Sequence, residues 1–297
     1  MTAFVIANIS VVRQADIPNT VMSLSLEHAA RALADGMAGL DLKGRIALIE
    51  ATVPGRLVFT TSLGIEDQAL THALAMAKWG KGTGRTEIVT LDTGRLYPET
   101  YDTWSETESA YGIRIQAYAP EREAEERFVR EEGINGFRQS VAARQVCCGF
   151  RKVEPLGRAL AGAAGWLTGL RAGQSANRAD TPLAEADEAR GLIKINPLAD
   201  WSRADVDRFV ADNYVPYNVL HDRGFPSIGC APCTRAVKVG EDERAGRWWW
   251  EQASKKECGL HIHTPEADIE PGQDPKPGQE PAAFETPIHE RSPEMAR

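Results

Sequence analysis

Hydrophobic and polar positions recur along this chain with two different periods. Behind Ser25, the apolar side chains Leu26, Ala29, Ala30 and Leu33 keep helical spacing, and Gly36 and Gly39 predict where that helix stops. Arg56–Thr61 is a short β-like run that leads through Gly64 into a helix predicted over 66–79. A second strand is expected at 87–91 and a helix at 97–111. Residues 113–118 alternate like a third strand, and a charged helix follows at 121–131. Runs at 166–170 and 192–195 add two more strands. Strands separated by helices predict an α/β fold with a doubly wound, mostly parallel sheet. Ligands of such sheets sit beyond the carboxyl ends of the strands, which directs attention to the loops after Thr61, Leu91 and Leu170. No internal repeat is visible.

Composition narrows the function classes. The chain has 297 residues, is 42% hydrophobic and carries a formal charge of −8, with 34 Lys+Arg against 42 Asp+Glu. An acidic total argues against a protein that coats nucleic acid, and no apolar run approaches the ~20 residues of a membrane span. Residues 1–10 lack the basic flank of a secretory signal, so a cytoplasmic location is expected. The charge is uneven: 264–297 holds 7 of the 17 prolines and eight acids against Lys276, Arg291 and Arg297. That composition predicts a disordered, solubilising tail behind a single domain over 1–263.

Five cysteines are present, Cys147, Cys148, Cys230, Cys233 and Cys258. An odd number without an export signal speaks against a disulfide framework. Cys230-Ala231-Pro232-Cys233 is a C-x-x-C pair. Cys147 and Cys148 are adjacent, so on a helix their side chains diverge by about 100° and serve one centre only if the backbone kinks. Four sulfurs in two pairs suggest either a four-cysteine zinc or an iron–sulfur cluster, and the spacing leaves both open. Cys258 stands apart, shortly before the acidic tail. A thiol in such a segment suits a nucleophile, provided nearby positive charge such as Lys255, Lys256 or His261 raises its thiolate fraction.

Thr61-Ser62-Leu63-Gly64-Ile65-Glu66-Asp67 joins a strand to a helix, and its hydroxyls and backbone N–H groups suit an anion. Glu66 and Asp67 would favour the helix start yet repel phosphate if they faced it. Asp92, in the loop after the second strand, suits either ribose or base binding or a simple Asx turn. Arg171 follows the 166–170 run. Arg244 and Arg247 share a face if their stretch is helical, and arginine forks suit phosphate or sulfate oxygens; the alternative is solvated charges paired with Glu241, Asp242 and Glu243. On such a helix, Trp248, Trp249 and Trp250 point different ways and are expected to pack in the core.

Together these features resemble the sulfonucleotide reductases, and among them the cluster-containing adenylyl-sulfate reductases of assimilatory sulfate reduction. Six ordered motifs carry the resemblance: SLGIED at 62–67, LDTGRLYPET at 91–100, CCGFRKVEPL at 147–156, TGLRAGQS at 168–175, VPYNVLHDRGFPSIGCAPCTRA at 215–236 and ECGLH at 257–261. The resemblance implies an adenine nucleotide alpha-hydrolase-like (PP-loop) fold with a mobile catalytic segment at about 250–263. It implies a [4Fe–4S] cluster, one per subunit, held by Cys147, Cys148, Cys230 and Cys233, with Lys152 close by. Ser62, Leu63 and Gly64 then correspond to the phosphate loop, with Asp92 beside the nucleotide. Arg171, Arg244 and Arg247 correspond to the phosphate–sulfate grip, His261 to the family's ending, and Cys258 to the nucleophile.

The implied activity is reduction of adenosine 5′-phosphosulfate (APS) to sulfite and AMP, through an S-sulfocysteine on Cys258 that thioredoxin or a similar dithiol discharges, in cysteine biosynthesis. A homo-oligomer is compatible with it. Three alternatives stand beside it. The first is the 3′-phosphorylated substrate PAPS, alone or alongside APS. The second is a PP-loop ATP pyrophosphatase, although SLGIED lacks the second glycine and final serine of the SGGxDS loop. The third is a zinc- or cluster-stabilised binding protein, which would leave Cys258 without a task.

Overall fold

A computed structural model describes residues 19–81 and 84–251, with side chains over 25–77 and 84–251. Cys258, His261 and the 264–297 tail lie outside the described residues. The first helix, α1 (Asn19–Met37), starts before the expected cap at Ser25 and runs through Gly36, with Gly39 (φ 74°) turning the chain beyond it. The next, α2 (Leu42–Thr52), escapes a periodicity reading because Arg45 lies on its buried face. Arg45 is buried only because Asp200, far along the chain, meets it at 2.6 Å, while the carbonyls of Met37 and Pro197 accept its remaining N–H groups.

The strand β1 (Arg56–Thr61) falls where the pattern puts it, followed by α3 (Ile65–Lys81), β2 (Thr86–Leu91) and α4 (Pro98–Tyr111). Proline opens α4 and Gly112, at φ 59°, closes it. Only the end of the expected 113–118 strand pairs, as β3 (Gln116–Tyr118); Ile113 and Ile115 pack instead against Leu63 and Tyr111. After α5 (Arg122–Glu132) come α6 (Val141–Cys148) and α7 (Glu154–Leu160), joined by a π-helical turn, Gly149–Val153. The strand expected at 166–170 is β4 (Ala163–Leu167), and Thr168–Leu170 already belongs to the loop. An edge strand β5 (Ala184–Asp187), then β6 (Leu192–Ile195) and α8 (Arg203–Asp212) complete the described elements.

The sheet has six strands in the order β3-β2-β1-β4-β6-β5, parallel except for the β5–β6 pair. Side chains alternate across β1: Leu57 and Phe59 join Ile46, Ile49, Leu70 and Val206 on the α1–α2–α3–α8 face, and Val58 joins Leu156 and Trp166 on the α7 face. Burial on both faces explains why β1 reads as a continuous apolar run. Chain direction along the sheet reverses between β1 and β4. Their outgoing loops therefore part there, opening a crevice at the carboxyl edge.

Candidate active site

A cleft fills that crevice. Its walls come from Thr60–Gly64 after β1, Thr168–Leu170 after β4, the start of α4, the π-helical turn, and the stretch from Pro226 to Arg247. The loop after β1 is tightly wound. Leu63 is 1% exposed with φ +60°, a conformation that costs a non-glycine about 1 kcal/mol and turns Ser62 and Gly64 toward the cleft. Its N–H donates to Thr61 Oγ1 at 3.0 Å. The Ser62 N–H and hydroxyl both donate to Asp67 Oδ2 at 2.6 Å. The two Ser62 donors that the sequence offers to an anion are thus held by a carboxylate of the same loop. Burial pushes that Asp67 carboxyl up to about 6, against the pull of the Ser62 hydrogen bonds. Gly169 faces it across the crevice, and a Cβ there would collide with Asp67 Oδ1.

Glu66 is likewise engaged. Arg171 Nε donates to Glu66 Oε1 at 2.9 Å, and its Nη2 donates to Glu243 Oε2, also at 2.9 Å. Arg171 is 1% exposed and stands behind the cleft wall, where it ties the β1 loop to the arginine stretch. Asp92 also stands off the cleft: its Oδ1 accepts from the Gly94 N–H at 2.9 Å and the Tyr101 hydroxyl at 2.7 Å, the Asx turn of the two readings. Ser62, Gly64, Lys152, Arg244 and Arg247 do line the cleft.

Arg244 and Arg247 come from turns rather than a helix, and still reach the same wall. The three tryptophans follow the same departure. Trp248 is buried at φ +43° beside the cysteines, while Trp249 and Trp250, half-buried, meet edge to face with centroids 4.9 Å apart. Arg247 Nη1 makes long hydrogen bonds to Ser227 Oγ (3.3 Å) and the Ile228 carbonyl (3.4 Å). It passes over Gly229, where a Cβ would strike the guanidinium.

Lining residues that sequence reading missed are Gln174, Arg178, His221 and Glu243. His221 Nε2 accepts the Ile65 N–H at 3.2 Å, which caps α3, and burial beside Arg203 lowers its pKa. No local pattern marks it, because its partner lies 156 residues away.

The four cysteines of the body gather on one side of this cleft. Cys148, Cys230 and Cys233 are buried with Phe128, Phe137 and Trp248, and Cys147 packs against them half-buried. Cys147 and Cys148 both lie at the end of α6, and the π-helical turn begins directly after them. All four are free thiols. Among the described residues, no three His, Cys, Asp or Glu side chains stand in a group tight enough to share one metal ion.

The electrostatics of the thiols are uneven. Burial pushes Cys233 up to about 12, with Cys230 adding to it. Burial would also raise Cys230, but Lys152, the Thr93 hydroxyl at 3.3 Å, Arg247 and Arg151 together lower it. Lys152, on the π-helical turn, lines the cleft and acts on Cys147, Cys230 and Cys233 alike. Three cations of the cleft lining, Lys152, Arg244 and Arg247, therefore stand on the side where the thiols gather, with Cys230 in the lining itself. A donor set of four free thiols, largely buried and beside cations, fits a thiolate-held centre.

Residues 56–236 match the phosphoadenosine phosphosulfate reductase domain family. The chain belongs to that family. Among its relatives, the adenosine 5′-phosphosulfate reductase of Sinorhizobium fredii (strain NBRC 101917 / NGR234) is 57% identical over 83% of this chain and 96% of its own length. The enzyme of that name from Agrobacterium fabrum is 52% identical over 83% and 94%. A solved structure of phosphoadenylyl-sulfate (PAPS) reductase from Candida auris, a phosphate complex, superposes with a TM-score of 0.59 at 29% identity, over 70% of this chain and 96% of that one. The sheet is that of the adenine nucleotide alpha-hydrolase-like class, as the sequence leads one to expect. The family span covers the five motifs between 62 and 236, including both cysteine pairs and Lys152; Arg244, Arg247, Cys258 and His261 follow it. No described helix is long and apolar enough to cross a membrane.

Proposed function

We propose that this family member reduces APS to sulfite and AMP, with a dithiol protein of the thioredoxin type as reductant, in sulfate assimilation and cysteine biosynthesis. The observation that carries this reading is that Lys152, Arg244 and Arg247 line the cleft on the side where the four thiols gather. Relatives named for APS, at 52% and 57% identity, favour it over PAPS. The PAPS reductase structure shares 29%, which keeps the phosphorylated substrate as the comparison to run.

In this reading the nucleotide enters at the switch point and its phosphate–sulfate end lies against the cationic wall. Arg244 and Arg247 orient the sulfate and hold charge as it develops on the departing phosphate oxygen. The Cys258 thiolate attacks the sulfate sulfur. A bond forms from Sγ to sulfur, the bond from sulfur to the AMP oxygen breaks, and AMP leaves with the electron pair. A thiolate of the dithiol partner then attacks Cys258 Sγ, and sulfite leaves with the bonding pair. The partner's second thiol resolves the mixed disulfide and frees Cys258. Both electrons come from the partner dithiol.

Cys147, Cys148, Cys230 and Cys233 would hold a [4Fe–4S] cluster, whose contribution is structural and electrostatic. A cluster gives each thiolate its own iron, so it suits sulfurs gathered around a volume better than a site for one ion does. Lys152, which lines the cleft and acts on Cys147, Cys230 and Cys233, would then stand between that centre and the anion end. A cytoplasmic setting belongs to the same reading.

Sulfite release from APS and from PAPS, measured with reduced thioredoxin, tests the proposal. APS is expected to turn over faster, and APS without thioredoxin should add an –SO3 mass to the Cys258 peptide. Turnover that survives Cys258→Ser would refute the nucleophile. Protein purified anaerobically should be brown, with about four irons per chain; a colourless protein with one zinc would refute the cluster.

A further inference from the structure

Trp248 is one of three non-glycine residues with a positive φ among the described residues. It is 1% exposed, and its φ of +43° lies in the left-handed region that bulky side chains rarely occupy. Two guanidinium groups meet its ring, Arg247 with its carbon 4.9 Å from the centroid and Arg144 at 4.6 Å. Arg247 reaches into the cleft on long hydrogen bonds, and its buried Nε has no partner. The aromatic face is therefore a restraint on this side chain beside two hydrogen bonds of 3.3 and 3.4 Å.

Arg144 is held far more firmly. It is 2% exposed on α6, and its Nε donates to Glu251 Oε1 at 2.5 Å, both side chains being buried. The Glu251 N–H returns to the Trp248 carbonyl at 2.9 Å, and the Trp248 N–H donates to the Cys233 carbonyl at 3.1 Å. Cys148 follows Arg144 by one turn of the same helix. Two like charges at one ring repel, unless one of them is neutralised by its own carboxylate.

We propose that Arg144 is a positioning residue for the anion site: through Trp248 it fixes the Arg247 guanidinium in the cleft, while Glu251 neutralises Arg144 so that Arg247 remains the cation an incoming anion meets. The assignment rests on the reading of the cleft as a sulfonucleotide site. It goes beyond that reading by making the helix that carries Cys147 and Cys148 the support of an arginine in the opposite part of the sequence. A displacement of α6 would then register as a change in anion affinity.

Equilibrium dialysis of labelled AMP against the full chain, arranged as a double-mutant cycle, tests this. Arg144→Lys keeps the charge for Glu251 but removes the planar face that stacks on the ring. It is expected to weaken AMP binding about tenfold in the wild-type background and less than about twofold in Arg247→Ala. Trp248→Phe, a gentler change, should follow the same rule with a loss of about threefold that vanishes without Arg247. This second cycle decides the matter if Arg144→Lys does not fold by circular dichroism. Equal losses in both backgrounds, or no loss in a folded variant, overturn the positioning role and leave the nucleotide reading intact. Failure of the wild type to bind AMP would overturn that reading, and the positioning role with it.

Discussion

The two walls of the cleft use their charges in opposite ways. In the loop after β1, the Ser62 donors are closed on Asp67 and Glu66 is closed on Arg171, so every strong group answers another group of the protein. On the facing stretch, Arg247 rests on an aromatic ring, long hydrogen bonds and the space above Gly229. The first wall is satisfied without a ligand, whereas the second leaves positive charge in the cleft. The loop that looks like a phosphate cradle in sequence is therefore closed in part on its own carboxylate, whereas the later turns bring Arg244 and Arg247 to the cleft lining. Breaking each wall should give a different symptom.

The largest effect is expected from Glu66→Ala. It removes one of the two carboxylates that neutralise Arg171, which is 1% exposed, and should destabilise the fold by about 3 kcal/mol, read by urea or thermal unfolding. If stability held and only anion affinity changed, that description of the first wall would be wrong. Gly229→Ala tests the other wall. Its Cβ would push the Arg247 guanidinium out of place, and only the far end of a flexible side chain must move. AMP affinity is expected to fall about 100-fold, the scale of a lost charged hydrogen-bonding group, with little change in unfolding. Unchanged affinity would show that Arg247 is not part of the anion site.

This contrast also explains what the sequence could and could not reveal. The sheet was legible where burial is continuous or alternating, as at β1 and β6, and the cysteine pairs stood out by chemistry alone. The elements α2 and α6 hid because their buried faces carry Arg45 and Arg144, whose partners Asp200 and Glu251 lie 155 and 107 residues away. Asp92 offered two uses, and its Oδ1 takes the Gly94 N–H and the Tyr101 hydroxyl of the turn. Arg171 reads as an anion ligand until Glu66 and Glu243 are seen beside it. In each case the deciding contact is a long-range pairing of charges, which no local period encodes. Arg244 and Arg247 reach the cleft lining through turns rather than through the helix inferred for them.

Protonation gives a gentler way to separate the walls. Asp67 has a folded pKa of about 6 against an ordinary 3.8, because burial disfavours its charge. The folded state then binds a proton more tightly than the unfolded state. The carboxyl's contribution to stability is therefore greatest in acid and is lost as pH rises through 6. Relative to Asp67→Asn, the wild type should lose about 1.5 kcal/mol between pH 5 and 7.5 and nothing more above that. His221 works in the opposite direction, since its lowered pKa makes protonation in acid destabilising, and it is common to both proteins. A difference that stays flat across this range would mean that Asp67 is already ionised at pH 5, and that its two Ser62 bonds outweigh its burial.

The smallest effect is expected where sequence and structure part most plainly. Asp92→Asn keeps a side-chain oxygen for the Gly94 N–H and the Tyr101 hydroxyl, and Asp92 does not line the cleft. The turn should survive, with sulfite release from APS changed by less than about twofold, as for a surface substitution outside the site. A loss of tenfold or more would place this carboxylate against the nucleotide. The satisfied wall would then extend into the second loop as a ligand-binding surface, and the division between a structural and a chemical side of the cleft would have to be redrawn.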